Sequence, residues 1–380
     1  MNRWNPKSYL IEGRKRGFQM EYLNRLVKTG REISKNNIPV IYSLAHLANL
    51  SNTLYKDLHS FVSRANEENY GVFYKNFPIK KYTGGKRWIS IPCPQLMAVQ
   101  NFIAKEILNN IQPHHTAMSY VSGLVSPLKT NAEKHMGAKW LLKMDVINFF
   151  SNISERQVYD VFSAQGYPNL LSFEMARLCT RVTPKRKGKR WNTEVDNDLF
   201  KAYRCLKVGS LPQGSPTSPA LSNLVSINMD VEFEKLAHDN NADYTRYADD
   251  LTFSFLDSSR SNIEEFKKKA TVILHKYNFS ENRKKTRIIS PGARKKITGV
   301  VINSGNSTVP KEFRDKIRMH LYYANKVGIP DHCRRKGFRS VLGFKNHLYG
   351  LIMYVRSINQ VQGDTFRDQF NKLPWLNFDL

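Results

Sequence analysis

The stretch DYTRYADDLTFSF, residues Asp243 to Phe255, sets two aspartates side by side between two strand-forming runs. After the pair, Leu251, Phe253 and Phe255 alternate with Thr252 and Ser254, the period of two expected of a half-buried strand. Before it stand Tyr244, Thr245 and Tyr247, also strand formers. The sequence therefore predicts a tight hairpin with Asp249 and Asp250 at or near its tip. Two carboxylates about 4 Å apart repel by roughly 4 kcal/mol at an effective dielectric near 20. A rigid hairpin that holds them together needs a compensating positive charge.

A third acid stands at the end of the apolar run WLLKMDV, where Asp145 closes a predicted strand that runs into a helix near Phe149. Three hard oxygen donors of this kind suit Mg²⁺, which keeps its remaining positions for water and substrate phosphates. Two such ions can activate an attacking 3′-hydroxyl and stabilise a leaving pyrophosphate. A solvated turn would also carry an Asp–Asp pair, and a helix cap would also carry Asp145; the order of the surrounding motifs decides between these readings.

The totals favour a polyanionic partner. Lys and Arg number 59 against 32 Asp and Glu, a formal net charge of +27. Aromatic residues make up 12% of the chain, which suits base stacking as well as core packing. With 380 residues, 41% of them hydrophobic, two or three subdomains are expected. Cys93, Cys179, Cys205 and Cys333 are scattered without a CxxC, so neither a zinc ribbon nor a disulfide framework is indicated, and His332–Cys333 alone do not make a metal site. There is no apolar run of membrane length, and MNRWNPKSYL does not read as a signal peptide, so a reduced cytoplasmic setting with no membrane partner is expected.

Along the chain, a helix is predicted near FQMEYLNRLVKTGREI and two more between Ile38 and Glu67, the second capped by Ser51 with Leu54, Leu58 and Phe61 as its apolar stripe. That pair reads either as a buttress for the next domain or as a DNA-reading helix pair. YGVFYKNFPIKKYTGGKRWISIPCP reads as two strands around a Gly–Gly turn. TPKRKGKRW reads as an exposed basic loop. LPQGSPTSP feeds a long helix, with Ser218 as cap and Pro219 in the first turn. Short strands follow near TRIIS and KITGVVIN, and from Pro310 the chain is helical and basic.

Taken together, these stretches resemble the reverse transcriptases. YADD (Tyr247–Asp250) resembles their signature, KMDVINFFSNI their first catalytic motif, and LPQGSPTSP the loop–helix motif between the two. FSENRKKTRI is similar to the next motif, with Asn282 and Lys285 matching its Asn-x-x-Lys core. FPIKKYTGGKRWISIP resembles the fingers hairpin of retron and group II intron enzymes. NAEKH (Asn131–His135) matches the NAxxH motif of retron reverse transcriptases, and ITG (Ile297–Gly299) resembles their VTG with Ile in place of Val. No appended endonuclease or RNase H-like domain is evident.

The resemblance implies an α+β, right-hand polymerase with fingers, a ferredoxin-like palm and a helical thumb. Residues 1–69 would be an N-terminal helical extension, 70–140 fingers, 141–304 palm with 161–204 a fingers or insertion segment, and 305–380 a basic thumb and RNA-binding region. It implies RNA-directed DNA synthesis with two Mg²⁺ held by Asp145, Asp249, Asp250 and the Val146 carbonyl. Phe150 would exclude the ribose 2′-hydroxyl, Gln213 contact the sugar, and Gly214 and Ser215 let the backbone approach the nucleotide. Arg87 with Lys80 or Lys81 would clamp the dNTP triphosphate, and Lys285 donate a proton to pyrophosphate. Asn131 and His135 would serve structure or RNA contact, and Thr298 and Gly299 lie against RNA; Lys311, Arg314, Arg318, Arg334, Arg335, Lys336, Arg339 and Lys345 would bind its backbone. The implied partners are a cognate structured noncoding RNA, its branched RNA–DNA product and a separate effector protein in bacterial anti-phage defence. Another bacterial reverse transcriptase, intron-derived or of abortive-infection type, and a non-catalytic RNA-binding scaffold are the alternatives.

Overall fold

The computed structural model describes residues 4–64, 73–80, 84–182, 203, 207–303 and 305–375. The chain divides into two units. The first comprises Met1–Ser122, Val146–Val231 and Leu274–Ser280; the second comprises Gly123–Asp145, Glu232–Ile273 and Glu281–Leu380. The basic stretch TPKRKGKRW lies outside the described residues.

In the first unit, Asn5 caps the helix Pro6–Lys15 by accepting from the Lys7 and Ser8 amides. The amphipathic helix Met20–Lys35 buries Leu23, Val27 and Ile33. Leu44–Leu50 and Tyr55–Ser63 are the expected helical pair. Ser51, however, does not cap the second of them. It flanks the end of the first, and its hydroxyl donates back to the Leu47 carbonyl at 2.8 Å. Asn52 then turns the chain at φ 52°, and Leu54 stands 59% exposed, leaving Leu58 and Phe61 as the apolar stripe. Strands β1 (Tyr74–Lys80) and β2 (Lys86–Pro92) form an antiparallel hairpin, buried at its root and exposed towards its tip.

A buried ionic knot ties this unit together. Glu155, fully buried, takes Arg64 at 2.7 Å and Arg177 at 3.6 Å, and accepts from the Thr180 hydroxyl at 2.6 Å and the Gly209 amide at 3.1 Å. Charges this deep are tolerable only because each has a partner.

The second unit holds a four-stranded antiparallel sheet. Its strands are β3 (Trp140–Asp145), β4 (Ala242–Tyr247), β5 (Asp250–Phe255) and β6 (Arg287–Ile289), in the order β4-β5-β3-β6. With helices between β3 and β4 and the helix Arg260–Lys276 between β5 and β6, this is the βαββαβ ferredoxin-like pattern. Phe253 anchors one face through Tyr244 at 4.8 Å and Phe266 at 4.9 Å between ring centres. Thr252 and Ser254 are buried too, so β5 is covered on both faces rather than half-buried. The short strands β7 (Lys296–Ile297) and β8 (Val300–Val301) pair next. The helices Lys311–Lys326, Ile329–Arg335, Val341–Ile358 and Gln360–Asn371 then share a core around Phe344, Leu348, Ile352 and Phe370.

Candidate active site

The hairpin tip is two residues long: Tyr247 pairs with Asp250, leaving Ala248 and Asp249 as the turn. Ala248 takes the left-handed region at φ 55° although it carries a Cβ, a conformation that costs about 1 kcal/mol or more. The buried Arg246 reaches the Ala248 carbonyl at 3.4 Å beneath the tip. On the other side of β5, β3 ends with Asp145 directly opposite Asp250. Register alone thus sets the Asp145 and Asp250 backbones side by side, with Asp249 next along the chain.

Asp145 is 6% exposed, and both its carboxylate oxygens are engaged. Oδ1 accepts from Asn282 Nδ2 at 2.7 Å, and Oδ2 from Lys285 Nζ at 2.6 Å. The Asn282 amide also donates to the Asp145 carbonyl at 2.7 Å, and the turn closes through Lys285 N to Asn282 O at 2.9 Å. The Asn-x-x-Lys spacing is therefore a turn that delivers an amide and an ammonium to one carboxylate. The hydrogen bond to Asp145 holds the Lys285 ammonium above its ordinary pKa. Burial, with the like charges of Asp249 and Asp145, holds the Asp250 carboxyl above the usual range, against the pull of Lys143 and Lys285. An all-oxygen donor set with clustered negative charge fits a hard divalent cation. Asp145, Asp249 and Asp250 would hold it, and it would supply charge neutralisation and Lewis acidity. Val146 follows Asp145 and is buried.

The NAxxH and ITG stretches meet beneath this hairpin. Asn131 and His135 are fully buried. His135 Nδ1 lies 2.7 Å from Ser254 Oγ on β5, and Nε2 lies 2.7 Å from Thr245 Oγ1 on β4. Thr245 donates to Asn131 Oδ1 at 2.6 Å, and Asn131 Nδ2 donates to Thr298 Oγ1 at 3.3 Å. With the Thr245 proton committed to Asn131 at 2.6 Å, Nε2 carries the imidazole proton and Nδ1 accepts from Ser254 at 2.7 Å, the other acceptor open to that hydroxyl, Asp243 Oδ2, standing farther off at 3.4 Å. Of the two roles expected for Asn131 and His135, structure or RNA contact, the geometry fits the structural one: their side chains are sealed from solvent and clip the two hairpin strands together. Thr298 (φ 44°) and Gly299 (φ 95°) are half-buried in the turn between β7 and β8. Lys311, Arg318, Arg334, Arg335, Lys336 and Arg339 are exposed, and Arg314 and Lys345 are half-buried.

The first unit carries a pocket of about 360 Å³ lined by Arg87, Ile89, Tyr120, Phe150, Gln213, Gly214, Ser215, Pro216, Ser218 and Pro219. The Gln213 carbonyl accepts from the Ser90 amide at 2.7 Å, docking the loop on β2. Gly214 has φ 115°, and a Cβ there would stand 2.7 Å from Ile89 Cγ2, so only glycine permits this approach. Ser215 is buried and donates to Gln100 Oε1 at 2.7 Å. Ser218 is the first helical residue, not the cap, and its hydroxyl donates to the Pro212 carbonyl at 2.7 Å. Phe150 is seated by Phe149, which stacks on Phe279 at 5.3 Å. Facing Phe150 at 6.3 Å is Tyr120, a wall residue that the sequence did not single out; its backbone is left-handed, at φ 58°. Lys80 does not join Arg87. It pairs with Lys86, whereas Arg87 pairs with Ile79, and adjacent pairs along a hairpin point to opposite faces, so its expected place beside Arg87 on the triphosphate is corrected. Lys81 lies outside the described residues.

The chain belongs to the reverse transcriptase (RNA-dependent DNA polymerase) family, whose model matches residues 79–319. Its similarity runs to the retron type. The retron Mx65 reverse transcriptase of Myxococcus xanthus is 30% identical over 291 residues, covering 77% of this chain and 62% of that protein. The retron Mx162 reverse transcriptase of the same organism is 27% identical over 318 residues, covering 81% and 62%. The retron Ec86 reverse transcriptase of Escherichia coli is 25% identical over 348 residues, covering 90% and 96%. The chain thus spans 62% of the length of each Myxococcus relative. The fold is the α+β polymerase fold of this family. Among the described residues, no helix is long and apolar enough to cross a membrane.

Proposed function

We propose that this chain is a retron RNA-directed DNA polymerase, adding dNTPs to a growing DNA end on an RNA template and releasing pyrophosphate. The observation that carries this reading is the strand register that sets Asp145 opposite Asp250 at the mouth of the Tyr247–Asp250 turn, with Lys285 and Asn282 on Asp145.

In this reading the three carboxylates, with the Val146 carbonyl, bind two Mg²⁺. Lys285, already hydrogen-bonded within the carboxylate group, supplies the proton that leaves with pyrophosphate. Phe150 and Tyr120 form the wall that selects deoxyribose, Gln213 meets the sugar, and Arg87 binds the triphosphate as a fork. Residues 70–140, 141–304 and 305–380 act as fingers, palm and thumb. The exposed basic residues from Lys311 to Arg339 take the RNA backbone.

The names of the relatives support the retron type, and the finer assignment follows from that type as part of this proposal. The template is a cognate structured noncoding RNA, primed from a guanosine 2′-hydroxyl to give branched RNA–DNA, in the bacterial cytoplasm, with a separate effector protein in anti-phage defence. The test is to sequence the nucleic acid that copurifies with the chain and to digest it with debranching enzyme. One RNA species joined to its own complementary DNA, separable only after debranching, is the expected result. Copurified RNA without attached DNA, from a chain that also extends no primer on RNA with Mg²⁺ and dNTPs, overturns the reading.

A further inference from the structure

The hairpin of β1 and β2 has a second face that the pocket does not use. Arg87 and Ile89 look into the pocket. Between and beside them, Lys86 and Trp88 point the other way, paired across the ribbon with Lys80 and Pro78. Trp88 is 59% exposed. Among the described residues its ring has no aromatic neighbour, and Lys80 and Lys86 make no ion pair. Residues 73–92 contain no Asp or Glu at all.

Each of these features works against the hairpin by itself. A tryptophan left in water forfeits the burial that its area would gain. Two lysines directly opposite on a ladder repel. Both costs reverse if the partner is a strand of stacked bases and phosphates, because an indole accepts any base face and the ammonium groups take the backbone. Two steps along the strand separate the lysine pair from the indole, about 7 Å along the ribbon.

We propose that Trp88, with the Lys80–Lys86 pair beside it towards the hairpin tip, is a stacking platform for an unpaired RNA strand. The proposal rests on the polymerase reading for the choice of RNA as the polyanion. It gives Lys80 a strand phosphate to hold, on the face away from Arg87.

The test uses the full chain with two fluorescent probes, a 12-nucleotide single-stranded RNA and a blunt RNA duplex, read by anisotropy. Trp88→Ala is expected to weaken single-strand binding roughly 5- to 100-fold and leave duplex binding unchanged, with Trp88→Phe restoring most of the loss. Replacing both lysines, Lys80→Gln with Lys86→Gln, should flatten the slope of log K against log salt by about 1.4 on the single strand. Undiminished single-strand binding by Trp88→Ala, or an equal loss on the duplex, overturns the proposal. DNA synthesis is scored separately on the unsubstituted chain. A chain that polymerises but whose Trp88→Ala variant holds the single strand as before keeps the function and loses the platform. A chain that binds through Trp88 but never polymerises does the reverse.

Discussion

Acidification should loosen the hairpin that carries Asp249 and Asp250, and His135 makes the effect quantitative. Burial, with Lys143 and Lys134 nearby, pushes its imidazole from 6.5 down to about 3. Between those values the unfolded chain binds a proton that the folded chain refuses. Stability from this group is therefore complete above pH 6.5 and falls as the pH drops towards 3. At 1.36 kcal/mol per pH unit, lowering the pH from 7.5 to 5 removes about 2 kcal/mol. Other buried histidines, such as His320 with its imidazole pushed to about 4, add their own slope. The perturbation is therefore read as a difference: urea unfolding of the native chain and of His135→Gln at each pH. Their stability gap should narrow by about 2 kcal/mol between pH 7.5 and 5. A gap independent of pH would refute the burial argument and the neutral Nε2–H clip between Thr245 and Ser254.

Lys285→Met removes the ammonium 2.6 Å from Asp145 Oδ2, and single-nucleotide extension should slow about 100-fold without loss of RNA affinity; an unchanged rate would take Lys285 out of the reaction. Glu155→Ala leaves Arg64 and Arg177 buried around a missing carboxylate, and thermal unfolding should show a loss of about 3–5 kcal/mol, whereas a change under 1 kcal/mol would contradict the ionic knot. Phe150→Val opens the pocket wall beside Tyr120, so ribonucleotide use relative to dNTP should rise about tenfold or more in competition assays. An unaltered ratio would deny that wall its selecting role.

The hairpin and its acids were readable because a period of two survives in any sequence that builds a sheet, and the strand parity that sets Asp145 opposite Asp250 needs only the register. The NAxxH residues were visible as a motif but not as a clip, since their partners Thr245 and Ser254 lie more than a hundred residues away. For the same reason Thr252 and Ser254 read as a solvated face and proved buried. Tyr120 left no sequence signal, because a left-handed backbone at a tyrosine follows from its surroundings and not from propensity. Of the two lysines expected beside Arg87, Lys80 falls on the opposite face by one step of the pleat, which composition cannot register. Ser51 offered an oxygen that could serve either helix, and the Asn52 turn assigned it to the first.

The most direct trial of the three-carboxylate centre is incorporation of labelled dNTPs on an RNA template in Mg²⁺ by the Asp249→Asn, Asp250→Asn double variant, with RNA binding followed in parallel. Incorporation at background with RNA affinity intact is the predicted result. Incorporation that persists when both acids at the hairpin tip have become amides would contradict it.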